Sequence, residues 1–155
     1  MGDPLEWALR VVLAMALGIH SILDVTDPCH GVKSELLQVG ESLPGWFLPA
    51  IGLLRAAAAL ELFSDNPNAV LGALAYASAS WCGAICFHVR CKHHPAAPVP
   101  AGLFVLLVAI LTAMRVNLWF ALAGTAACAA LGVLLGFVFV TPPPPSPRDA
   151  ALLDG

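Results

Sequence analysis

Residues Leu118 to Val140 pass without one charged side chain. At about 1.5 Å of rise per residue, a helix over that stretch crosses a hydrocarbon core of roughly 30 Å. A water-exposed helix needs a polar face, and this sequence supplies none. The pattern recurs along the chain, so the expected solvent is a bilayer. Composition agrees: the 155 residues are 59% hydrophobic and 11% charged, with a mean hydropathy of +0.85. Soluble domains carry about a quarter charged residues. A net charge of −3 with no basic cluster argues against a nucleic-acid partner.

Five apolar segments are expected to span: residues 5–23, 46–63, 69–89, 99–114 and 118–140. Asp24 and Asp27-Pro28 stop the first, and Ser64-Asp65-Asn66-Pro67 closes the second. Arg90, Lys92 and Pro95 close the third, and four prolines after Thr141 end the fifth. One bent helix over Val99–Val140 would be about 60 Å long, twice the membrane. A turn near Arg115 and Asn117 is therefore preferred, with the bent helix as the alternative. The expected fold is all-α, a polytopic membrane helical bundle with four core transmembrane helices and an added fifth. Residues 141–155 read as a proline-rich disordered tail, stiff where the prolines run together.

Five crossings put the termini on opposite sides. Call the side of the N-terminus A and the other B. Lys33, Arg90, Lys92 and Arg148 fall on side B, against Arg115 and Arg10 on side A, so side B is the expected cytoplasmic face. Ala14-Met15-Ala16 has the spacing of a signal-peptide cleavage site, but Asp3, Glu6 and Arg10 precede it where a basic and then an apolar region belong. A retained first span is expected.

Charged groups inside a membrane cost roughly 2.5–3.5 kcal/mol on insertion scales, so each marks function or pairing. Arg55 is the sharpest case, near the middle of the second span. Glu61 is six residues on and faces elsewhere, so Arg55 is expected either to meet an acid on another helix or to snorkel to the interface. Asp24 and Glu61 are the two acids available. His20 is four residues before Asp24 on the same face, either as a satisfied interfacial histidine or as a proton-handling pair.

The densest chemistry is Cys82-Gly-Ala-Ile-Cys86-Phe-His88-Val-Arg90-Cys91-Lys92-His93-His94. The topology adds Cys29 and His30 to the same side. Thiolate and imidazole suit zinc or copper, which makes Cys29, His30, Cys91, His93 and His94 the metal-ligand candidates. A Cys29–Cys91 disulfide would use the same proximity on an oxidising side. The bland reading is a basic-histidine patch against lipid headgroups. If the chain is catalytic, Cys91, Cys29 and His88 are the candidates, because Arg90 and Lys92 would favour a Cys91 thiolate. No Cys-x-x-Cys pair, phosphate loop, His-Glu-x-x-His or nucleophile elbow occurs, and no cofactor is indicated.

Gly124, Cys128, Gly132 and Gly136 recur every four residues on the fifth span, and Gly72, Ala75, Ala79 and Gly83 make a similar stripe on the third. Small residues let helix backbones approach closely in lipid, within the chain or between chains.

Four places resemble the DoxX-like family of small membrane proteins, over about residues 8 to 115. They are Gly18-Ile-His20 to Asp24, Pro44-Gly45-Trp46-Phe47, Ile51-Gly52-Leu53-Leu54, and a third helix ending in His88. Members of that family usually have four helices and a glutamate where Arg55 stands. The resemblance implies one of two classes: a subunit related to thiosulfate–quinone oxidoreductases, or a membrane-resident assembly protein. The reading taken from the residues is an integral, multi-pass accessory or scaffolding protein without its own catalysis, with the bilayer and another membrane protein as partners. The alternative is a quinone- or thiol-linked redox subunit using the Cys/His cluster. Which membrane holds the protein is not encoded in these features.

Overall fold

A computed structural model describes residues 3–26, 46–90 and 94–139. Five helices account for nearly all of them: α1 (Pro4–Thr26), α2 (Phe47–Glu61), α3 (Pro67–Arg90), α4 (Val99–Arg115) and α5 (Leu118–Phe139). No strand occurs among the described residues. α1, α3 and α5 are long and apolar enough to cross a membrane, and α4 is a shorter apolar helix. The protein is an all-helical, multi-pass membrane bundle.

Local sequence sets the helix starts. The Asp3 carboxylate accepts from the Leu5 N–H at 2.9 Å, with Pro4 as the first helical residue of α1. Asn66 accepts from Asn68 N–H at 3.0 Å, with Pro67 opening α3, and Asn117 accepts from Phe120 N–H at 2.8 Å to open α5. Such caps satisfy donors that a helix leaves orphaned, and proline at the first position loses a donor that had no partner. Between α4 and α5, Val116 is extended (φ −130°, ψ 176°), so the chain turns there and Val99–Phe139 is two helices.

Burial follows helical periodicity. α1 buries Leu13, Ala16, Leu17, Ser21 and Asp24, and α3 buries Val70, Ala73, Leu74, Ala77, Ser78, Trp81, Cys82 and Cys86. Both sets are one face at spacings of three and four. α4 adds Val108 and Leu111, and the Trp81 indole stacks on Phe104 with centroids 4.7 Å apart. The most extensive helix pairs are α3 with α5 and α1 with α2.

Glycine makes both close pairs possible. A Cβ at Gly132 would overlap the Ala79 carbonyl oxygen of α3 and lie 3.0 Å from the Gly83 nitrogen. One at Gly136 would sit 2.9 Å from Cys86 Sγ. A Cβ at Gly52 would come within 2.8 Å of Val25 Cγ2 and 3.0 Å of Asp24 Cβ. The α5 stripe is therefore occupied at Gly132 and Gly136 by the same chain, whereas a Cβ at Gly124 or Gly72 would meet open space.

Candidate functional site

Three helices bring polar side chains together inside the bundle. Asp24 is in the last turn of α1, Arg55 is near the middle of α2, and Ser80 is on α3. The Arg55 Nη1 pairs with Asp24 Oδ2, and both side chains are largely buried. The other edge of the guanidinium donates to Ser80 Oγ, from Nη2 at 3.2 Å and from Nε at 3.4 Å. Tyr76, one turn before Ser80, donates its hydroxyl to the Ile51 carbonyl at 3.2 Å. The helix crossing at Gly52 holds α1 close enough for the pair to form, because Gly52 faces Asp24 and Val25 directly. Charge is balanced and the guanidinium fork is filled from two sides, which suits a fixed tie between helices.

His20 points its Nδ1–H at the Ala16 carbonyl of its own helix, 2.8 Å away. It borders the pair, four residues from Asp24. Glu61 is exposed at the end of α2, so Asp24, and not Glu61, is the acid that Arg55 meets. Buried Ser78 Oγ has no hydrogen-bond partner among the described residues.

A second polar cluster closes side A. Glu6 Oε1 accepts from Arg10 Nε at 3.0 Å and from Arg115 at 2.8 Å (Nε) and 2.6 Å (Nη2). Arg10 Nη1 also donates to the Leu62 carbonyl at the end of α2, at 2.9 Å. One carboxylate thus ties α1 to α4 while Arg10 caps α2. Trp7 leans on Phe63 beside it, centroids 5.7 Å apart. Exposed Trp7, Trp119 and Phe120 give this end the aromatic belt of a membrane interface.

At the other end of α3, Arg90 Nη1 donates to the Gly136 and Phe137 carbonyls at 3.2 and 2.8 Å. Its guanidinium lies over the Phe137 ring, 4.4 Å from the centroid. A cation there complements the negative end of the α5 dipole.

Of the cysteine–histidine candidates, Cys29, His30, Cys91 and His93 lie outside the described residues, as does the tail from Thr141. His88 is half-buried with its ring edge-on to Phe87, centroids 5.4 Å apart. His94 is exposed, and its Nδ1 accepts from the Ala96 N–H at 3.2 Å. Cys82 and Cys86 are buried free thiols and Cys128 is a half-buried one. Among the described residues, no three of His, Cys, Asp and Glu come together as a metal site.

Reading residues alone did not single out Glu6, Tyr76 or Ser80. Glu6 stands four residues before Arg10, a helix ion-pair spacing that was visible in the sequence. Tyr76 and Ser80 are also four apart, the only tyrosine of the chain above a serine on an alanine-rich helix. Their meeting with α2 has no local signal.

The family model described as DoxX-like matches residues 8–110, from the second turn of α1 into α4. The match stops short of Arg115 and of all of α5. No match is found among the curated proteins or the solved structures.

Proposed function

The chain belongs to the DoxX-like family, and we propose that it is an accessory or scaffolding protein of the membrane, without catalysis of its own. One observation carries this reading: the charged side chains inside the bundle are spent on holding helices to one another. Arg55 and Asp24 join α2 to α1, Glu6 and Arg115 join α1 to α4, and Arg90 caps α5 from α3. A reactive site keeps a charge or donor turned toward a ligand, whereas these groups face other helices of the same chain.

The surface for a partner is the outer face of α5. Gly132 and Gly136 are filled by α3, which takes that half of the small-residue stripe out of intermolecular contact. Leu131, Leu134, Leu135 and Val138 remain exposed on a helix with no polar face. Photo-crosslinking from Leu134 in native membranes tests the reading. The expected result is a discrete adduct with a second membrane protein, reduced by Leu131→Ala with Leu135→Ala. Lipid adducts alone would remove this surface, and turnover by the purified protein would remove the class.

The family's redox members supply the competing reading, with Cys91 and Cys29 as its thiols. It stands or falls on metal, chromophore and disulfide content of the purified protein, with and without those two cysteines.

A further inference from the structure

The helices differ in length, and α4 ends short of α3 and α5 at side B. At side A the ends are flush: Arg10 reaches the last turn of α2, Arg115 at the end of α4 reaches Glu6 near the start of α1, and a two-residue turn joins α4 to α5. α5 leaves that level and runs 22 residues while α4 runs 17, and α3 beside them runs 24. As helices these are about 33, 26 and 36 Å long at roughly 1.5 Å per residue. Against α5, which starts from the same side-A turn, α4 is about 7 Å short, and that shortfall falls at side B.

The Trp81–Phe104 stack gives the offset between α4 and α3 at that side. Above it, α3 continues for nine residues to Arg90, but α4 has only five left before Val99. The difference is about 6 Å, one helical turn. Above Val99 the chain leaves helical geometry in the turn at residues 94–98, with His94, Pro95 and Ala96 exposed. Exposed non-helical backbone does not sit in hydrocarbon. α4 itself is lipid-facing up to its first residue, with Val99 54%, Leu103 58% and Leu106 56% exposed. On α5, Leu134 reaches that height, and Phe137 and Val138 continue the apolar surface past it.

We propose that the bundle carries a wedge-shaped apolar girdle, and that phospholipid of the side-B leaflet descends along α4 to meet the turn at residues 94–98. The partner of this face is a locally thinned bilayer. Headgroups reach the His94 turn there, while acyl chains still cover the same height on α5. Bilayers accommodate short hydrophobic elements by such thinning at modest cost per ångström.

Val99 and Leu134 stand sixteen residues above the shared α4–α5 turn, each exposed in the chain by itself, on the short and the long helix. The full chain carrying Val99→Cys or Leu134→Cys, in dioleoyl-phosphatidylcholine nanodiscs, is exposed to a membrane-impermeant maleimide and read peptide by peptide. Val99→Cys should label about tenfold faster than Leu134→Cys, as headgroup and hydrocarbon positions do. Equal, slow labelling at both sites overturns the proposal. So does protection of Val99→Cys accompanied by two copies per disc, since a second chain would then cover α4. Should either variant fail to fold, the native chain decides the matter: it should melt higher in dimyristoleoyl- than in dierucoyl-phosphatidylcholine, and the reverse order overturns the thinning.

Discussion

Arg55 on α2 and Asp24 on α1 are an ion pair held inside the bundle, with Ser80 of α3 closing the other edge of the guanidinium. Taking either charge away leaves the other in a low-dielectric interior with no counter-charge, and such single removals cost about 3–5 kcal/mol. Asp24→Asn and Arg55→Gln should therefore each lower the melting temperature sharply in detergent. The double variant should be more stable than the sum of the two losses implies. Additive losses would mean that the two side chains do not act as a pair.

Gly132→Leu should loosen the chain itself. The new side chain would collide with the Ala79 carbonyl, and overpacking of this kind costs about 1–3 kcal/mol. Gly124→Ala is the control, since a Cβ there meets open space and alanine favours a helix by about 1 kcal/mol over glycine. SDS-titration unfolding should separate the two variants by sign. A stable Gly132→Leu protein would place α5 elsewhere.

Glu6 anchors two arginines, so Glu6→Gln should weaken both ties together. Hydrogen bonds to charged groups contribute about 1.5–3 kcal/mol each, and a loss of about 2 kcal/mol is expected after partial exposure is allowed for. Once Glu6 is neutral, Arg115→Gln should cost little more. A double-mutant cycle by thermal unfolding checks this: independent losses would show that Arg115 holds α4 through some other group.

Among the described residues, the start of α1 and the end of α5 lie at opposite ends of the bundle, as five crossings require. Tags at the two termini should differ in protease accessibility in sealed vesicles, one protected and one cut. Cleavage of both from the same side would mean that one helix does not span.

The helices were legible because lipid removes the need for a polar face. Long apolar runs ended by Asp, Asn, Pro or a lone Arg leave little freedom, and Asn66, Pro67 and Asn117 mark starts that the caps then use. Arg55 announced itself as a buried charge for the same reason. Its partner did not, since Asp24 and Glu61 both stood near helix ends, and only the α1–α2 crossing at Gly52 decides between them. The glycine stripe on α5 was equally plain. That α3 fills it, and not another chain, depends on how α4 folds back between them, which no local pattern records.

The pairing of α3 with α5 also orders events during synthesis. The two run parallel with α4 between them in sequence, so α3 emerges with Gly83 uncovered and Arg90 without the Gly136 and Phe137 carbonyls it later caps. Those carbonyls lie 46 and 47 residues further on, a delay of about 2–10 s at ordinary elongation rates. Through that interval the nascent chain holds a half-built bundle whose glycine face is open to lipid, to the insertion machinery and to quality control. A ribosome stalled before Gly136 would leave it so, and α5 acts as the seal over that face.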